Sequence, residues 1–121
     1  MKKNIIQEKS YRFALRIVKL YRYLTKEKKE FVLSKQLLRS GTSIGANVEE
    51  AVGGQSKSDF VSKLSIAYKE TRESKYWINL LKDSGYLTDK EANSIILDCE
   101  ELAKIITKIL KTTKLNVGDK S

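Results

Sequence analysis

The chain has 121 residues, with 24 Lys plus Arg against 15 Asp plus Glu for a formal net charge of +9, and it contains no His, no Pro and a single Cys. That length fits one domain, and 40% hydrophobic residues furnish a real interior, so the 32% charged content belongs to solvated faces rather than to disorder. Without imidazole or a second thiol there is no catalytic triad, zinc finger, His-containing di-iron site or intramolecular disulfide.

Met1 to Ile6 starts like the charged head of a signal peptide, but Gln7, Glu8 and Lys9 interrupt the apolar stretch such a peptide requires. No run of about 18 apolar residues follows, and the expected location is the cytoplasm. Phe13, Ile17, Leu20 and Leu24 alternate spacings of four and three, predicting a first helix over about 5–25. After a polar break from Thr25 to Glu30, Leu37, Gly41, Ile44, Val48 and Ala51 repeat the spacing, predicting a second helix over 30–53 that ends at Gly53 and Gly54. Glycine costs a helix about 1 kcal/mol relative to alanine, so Gly41 and Gly45 imply close approach of a neighbouring backbone.

Ser56 to Asp59 resembles a capping box, opening a third helix over 58–84 along Phe60, Leu64, Ala67, Thr71, Ser74, Ile78 and Leu81. Gly85 supplies a left-handed stop, and Thr88 to Glu91 caps a fourth helix over 88–112 on Ala92, Ile95, Cys99, Leu102, Ile106 and Ile109. A polar tail is expected from Lys111 onward. Four amphipathic helices on short links predict an all-α, antiparallel up-down-up-down four-helix bundle filling the whole chain as one domain. Apolar residues beside the stripes, among them Tyr21, Tyr68, Trp77, Leu80 and Ile96, widen the sticky faces, and an oligomer would bury the surplus.

Met1 to Glu30 carries ten basic and three acidic residues, +7 of the total +9. Lys9, Arg12, Arg16, Lys19 and Lys26 fall in one sector of the first helix with Tyr23 among them and Tyr11 and Arg22 at its edges. A row of this kind tracks phosphates, with tyrosines available to stack on unpaired bases; the competing reading is a solvated helix face. Membrane-surface binding is disfavoured because the bundle uses the helix's apolar side. On the second helix Arg39, Ser43, Asn47 and Glu50 share a face, and the third offers Glu70 and Glu73. If these faces oppose, Arg39 pairs with a carboxylate and Asn47 bridges helices to fix register, as polar core positions do in coiled coils; a ligand or partner site is the alternative.

Other candidates read as structural. A Glu-x-x-His metal motif is impossible here, Cys99 behaves as a small core hydrophobe, and Gly53 to Ser56 lacks the Gly-Lys-Ser/Thr ending of a phosphate loop. Tyr76 and Trp77 read as core or interface anchors rather than base-stacking platforms. No metal or cofactor is expected.

The stretch from Gln36 to Ala51, QLLRSGTSIGANVEEA, resembles the bacterial four-helix-bundle family named after the 23S rRNA intervening-sequence protein. Ser56 to Phe60, Lys63 to Ala67, Lys69, Glu70, Glu73, Tyr76, Trp77, Leu80, Leu81, Gly85 and Tyr86 extend the likeness, and the first and fourth helices follow it more loosely. The resemblance implies an up-down bundle that assembles as a ring, a homopentamer, with no known enzymatic activity. Some members are encoded within insertions in 23S rRNA genes, which suggests an association with RNA, and related bundles look like accessory subunits of reverse transcriptases. It also carries over recurrent polar positions: Arg39, Ser43, Asn47, Glu50, Asp59, Glu70 and Glu73. Tyr68 and Thr71 depart from the alanine or leucine usual there, which loosens the helix contacts expected around them. The leading expectation is a non-catalytic, oligomeric bundle binding RNA or another nucleic acid through Lys9, Arg12, Arg16, Lys19, Arg22, Tyr23 and Lys26. The alternative is a protein-interaction adaptor, its basic surface recognising an acidic partner.

Overall fold

The computed structural model describes residues 4–119, with side chains for residues 4–114. It consists of α1 (Ile5–Lys26), α2 (Leu33–Val52), α3 (Lys57–Asp83) and α4 (Asp89–Asp119). Even the longest link, residues 27–32, spans at most about 25 Å when extended, short of the roughly 30 Å of α2. Each helix therefore doubles back on the one before it. Backbone contacts join α1 to α2, α2 to α3, α3 to α4 and, most sparsely, α1 to α4, while the diagonal pairs stay apart. The result is an up-down-up-down four-helix bundle. No helix among the described residues is long and apolar enough to cross a membrane.

The four stripes meet as expected. Phe13, Ile17, Leu24, Leu37, Ile44, Val48, Leu64, Ile78, Leu81, Leu102 and Ile106 form the centre of the core. Leu20 and Phe60 are only half-buried, and at the end of the α4 stripe Leu110 is buried where Ile109 stays half-exposed. Burial, ahead of the nearby Asp98 charge, pushes the Cys99 thiol up to about 12, so it stays protonated and packs as a small hydrophobe.

Local chemistry sets the ends. Asn4 and Gln7 form a reciprocal capping box at α1, and Thr88 and Glu91 form another before α4, with bonds of 2.8 and 3.1 Å. Ser56 Oγ accepts from the Asp59 N–H at 3.0 Å at the start of α3. At the end of α3, Gly85 adopts φ +90°, while the Tyr86 N–H reaches Leu81 O and the Gly85 N–H reaches Lys82 O, the paired bonds of a Schellman stop. α4 runs on to Asp119 although its apolar pattern fades near residue 112. Propagating a nucleated helix is cheap and no proline stands in the way. The rest of the expected polar tail, 120–121, and the basic start, 1–3, lie outside the described residues.

α2 begins at Leu33 rather than residue 30 because Glu30 is used as a cap. Lys29 takes a left-handed φ of 54°, which turns the chain so that the Glu30 N–H bonds Leu24 O at 2.9 Å. The buried Glu30 carboxylate then accepts from the N–H groups of Val32, Leu33 and Ser34 at 3.1, 3.0 and 2.7 Å. Burial alone raises its pKa, but these three donors outweigh it and hold the carboxyl below the usual carboxylate range.

The two helix glycines do different work. A Cβ on Gly41 would lie 2.8 Å from Ile17 Cγ1 and 2.9 Å from Cγ2, so glycine is what admits the Ile17 side chain. At Gly45 the neighbour is the α1 backbone itself, Ser10 O, but at an ordinary 3.4 Å. The backbone approach inferred from both glycines therefore exists at Gly45, where a methyl group fits, whereas the steric need lies at Gly41.

Gly41→Ala destabilises the fold by about 1–3 kcal/mol through overpacking, whereas Gly45→Ala is neutral or stabilising by up to about 1 kcal/mol, both read by urea denaturation. Glu30→Gln costs about 1–3 kcal/mol at neutral pH. The stabilisation from Glu30 is full above the ordinary glutamate range and is lost as pH falls through its depressed folded value, so the gap between wild type and variant narrows in acid.

Candidate nucleic-acid interface

The basic sector of α1 divides in two once α4 is beside it. On the flank facing α4, Lys9 Nζ pairs with Glu101 at 3.1 Å and Arg16 Nη1 with Asp98 at 2.7 Å. Arg16 also donates to Ser94 O at 3.3 Å and Ser94 Oγ at 2.5 Å. A cleft of about 240 Å³ lies among Lys9, Arg12, Arg16, Asp98 and Glu101. These long side chains close the seam where the backbones approach least, covering it with their aliphatic stems. Lys9 and Arg16 thus spend their charge within the fold.

The outer flank is different. Arg12, at the rim of that cleft, and Lys19, Arg22 and Lys26 beyond it are exposed and have no carboxylate partner among the described residues. Tyr23 is half-buried, with the Lys28 ammonium 5.9 Å from its ring centre, so its face is already used by a cation. Tyr11 lies at the edge of the α1–α2 groove beside Ala46 and Glu49.

The shared polar face of α2 does meet α3. Arg39 pairs with Glu70 at 3.0 Å and, more closely, with Glu73, and Trp77 Nε1 donates to the same Glu73 oxygen at 2.9 Å. The Trp77 N–H, ahead of Arg39, holds the Glu73 carboxyl below the usual range against the opposing effect of burial. The hydrogen bond from Arg39 to Glu73 in turn raises the Arg39 pKa. Glu50 pairs with Lys63 at 3.1 Å. Asn47 departs from its expected role: its amide donates at 2.9 Å to Ser43 O within α2, and Ser43 Oγ likewise turns back to Arg39 O. A buried bridge between these helices is supplied instead by Ser74 Oγ, which donates to Ser40 Oγ at 2.9 Å. Asp59 sits in the first turn of α3, where a carboxylate suits the helix dipole. Among the described residues no group of His, Cys, Asp and Glu side chains is placed to hold a metal ion.

One feature of the surface was not anticipated from sequence. A groove of about 440 Å³ opens between α3 and α4 along Tyr68, Arg72, Lys75, Tyr76 and Glu100, with Thr71 and Cys99 also lining it. A second, of about 560 Å³, continues past the same Tyr68 to Lys69, Lys111 and Lys114. Of the two positions expected to have looser contacts, Thr71 is buried with its Oγ1 donating to Ala67 O at 2.8 Å, and Tyr68 is half-buried against the core. Tyr76, read as a core or interface anchor, is 58% exposed, and only Trp77 packs on the core.

A family model described as 23S rRNA-intervening sequence protein matches residues 2–108. No curated protein matches the chain. Among solved structures the chain is similar to a protein of unknown function from the S23 ribosomal protein family of Bacteroides thetaiotaomicron. The two are 50% identical, the match covers 88% of this chain and 99% of that one, and the TM-score is 0.88.

Trp77 is the sole tryptophan, so its emission reports the Glu73 contact. Emission is expected to titrate with a midpoint below the ordinary glutamate range, and Arg39→Gln is expected to move that midpoint upward, as followed by fluorescence against pH.

Proposed function

The chain belongs to the 23S rRNA-intervening sequence protein family, and from that premise we propose a non-catalytic helical bundle that binds nucleic acid, RNA in the first instance, through the outer face of α1. The observation that carries this reading is the row Arg12, Lys19, Arg22 and Lys26, exposed and unpaired with any carboxylate among the described residues. The row extends over roughly 21 Å of helix, a length suited to several successive phosphates. Phosphate contacts of this sort give affinity without strong base selection.

The protein acts as an assembly of several copies, a ring and specifically a homopentamer, in the cytoplasm. Exposed Ile5, Leu15, Ile66 and Leu97 are consistent with further apolar burial between copies, and a ring would multiply individually weak phosphate contacts into avidity. The adaptor reading, such as an accessory subunit of a reverse transcriptase, draws on Phe31 and Val32, which are 59% and 71% exposed in the α1–α2 link. Pairing within the fold removes Lys9 and Arg16 from the expected contact set and leaves Tyr23 at its margin.

Binding of a labelled single-stranded RNA by anisotropy is expected to weaken with salt at a log–log slope of roughly −3 for four neutralised phosphates. Reversing Arg12, Lys19 and Arg22 together to Glu weakens binding roughly tenfold or more at physiological salt while the helical circular dichroism is retained. A wild-type protein that fails to shift RNA at low salt, or a charge-reversed variant that binds unchanged, overturns the proposal in favour of the adaptor.

A further inference from the structure

We propose that the α3–α4 groove is a second site, one that takes the unpaired bases of a single-stranded nucleic acid, with Tyr76 as the stacking platform and Arg72, seated over the Tyr68 ring, on the backbone. It deepens the nucleic-acid reading but uses a different face of the bundle and a different chemistry. Tyr68 and Tyr76 stand on the same face of α3, two turns apart and about 12 Å along its axis. Both line the groove. Arg72 falls midway, its guanidinium 6.0 Å from the Tyr68 ring centre and its Nη1 3.5 Å from the Tyr68 hydroxyl, so Tyr68 seats the cation and Tyr76 keeps the open ring. The Tyr76 ring is held edge-to-face on Trp77 with centroids 5.0 Å apart, which fixes its plane while its outer face remains open.

Charge favours the same ligand. Lys75 is paired with Glu100, but Lys69, Arg72, Lys111 and Lys114 have no carboxylate partner among the described residues, and Glu100 is the sole acidic residue lining the two connected grooves. An aromatic floor under a cationic rim suits a ligand carrying flat rings on a phosphate chain. A duplex hides its ring faces in its own stack, so this site selects unpaired strands.

The test compares a fluorescein-labelled oligouridylate with a labelled duplex of equal length. Tyr76→Ala and Arg72→Gln are each expected to weaken oligouridylate binding roughly 5- to 150-fold for Tyr76 and several-fold for Arg72, leaving duplex binding within twofold; Tyr76→Phe binds as wild type. Both residues are exposed, and circular dichroism checks that the variants stay folded. Unchanged oligouridylate binding by Tyr76→Ala and Arg72→Gln overturns the groove site. The Arg12, Lys19 and Arg22 reversal tests the α1 face separately: duplex binding that survives it overturns the α1 reading alone. Equal loss of oligouridylate and duplex in Tyr76→Ala also overturns the groove site, because stacking would then not be what Tyr76 contributes.

Discussion

The bundle depends on the seating of Ile17 against Gly41. Any larger residue at position 41 holds α1 away from α2, and the α1 core residues Phe13, Ile17 and Leu24 then lose part of their burial. Close packing on one side has a counterpart on the other: α1 meets α4 with the sparsest backbone contact of the four neighbouring pairs. That seam is closed by the stems and charges of Lys9 and Arg16 on Glu101 and Asp98. A small residue on α2 and the division of labour among the cations of α1 are thus linked, since the cations nearest α4 are drawn into the fold and those on the far flank remain available.

Much of the architecture was legible because it rests on periodicity. The four-three spacing placed nearly every core side chain, and the caps at Ser56, Thr88 and Gly85 are local motifs whose partners lie within a few residues. Glu30 escaped notice for a physical reason: its cap depends on Lys29 adopting a left-handed conformation that no glycine announced. The site was less legible than the fold. Arg39 met Glu70 and Glu73 as the shared face suggested, but an asparagine can satisfy its amide within its own helix, and Asn47 does. Whether Lys9 or Arg16 is free depends on which helix lies alongside, and helical spacing within α1 carries no such information.

The α3–α4 groove was harder still. Tyr68 and Tyr76 flank the α3 stripe at the spacing of surplus core residues, and only the course of α4 decides that they border an opening. The small Ala103 on that wall leaves room where a leucine would fill it. The favourable electrostatics of both cationic faces share one origin, because Asp98, Glu100 and Glu101 of α4 are paired with Arg16, Lys75 and Lys9. Arg12, Lys19, Arg22 and Lys26 on α1 and Lys69, Arg72, Lys111 and Lys114 at the grooves are left without a carboxylate partner among the described residues, and a net charge of +9 becomes a long-range field rather than a uniform background.

Cys99 gives that wall a property of its own. It is buried at the groove, its thiol pushed up to about 12, and it is the single cysteine of the chain. An alkylating reagent therefore has one target, and reaches it as a reactive thiolate only when α3 and α4 part and solvent enters. The rate of modification is a clock for the breathing of those two helices, and a strand lodged between them would slow it.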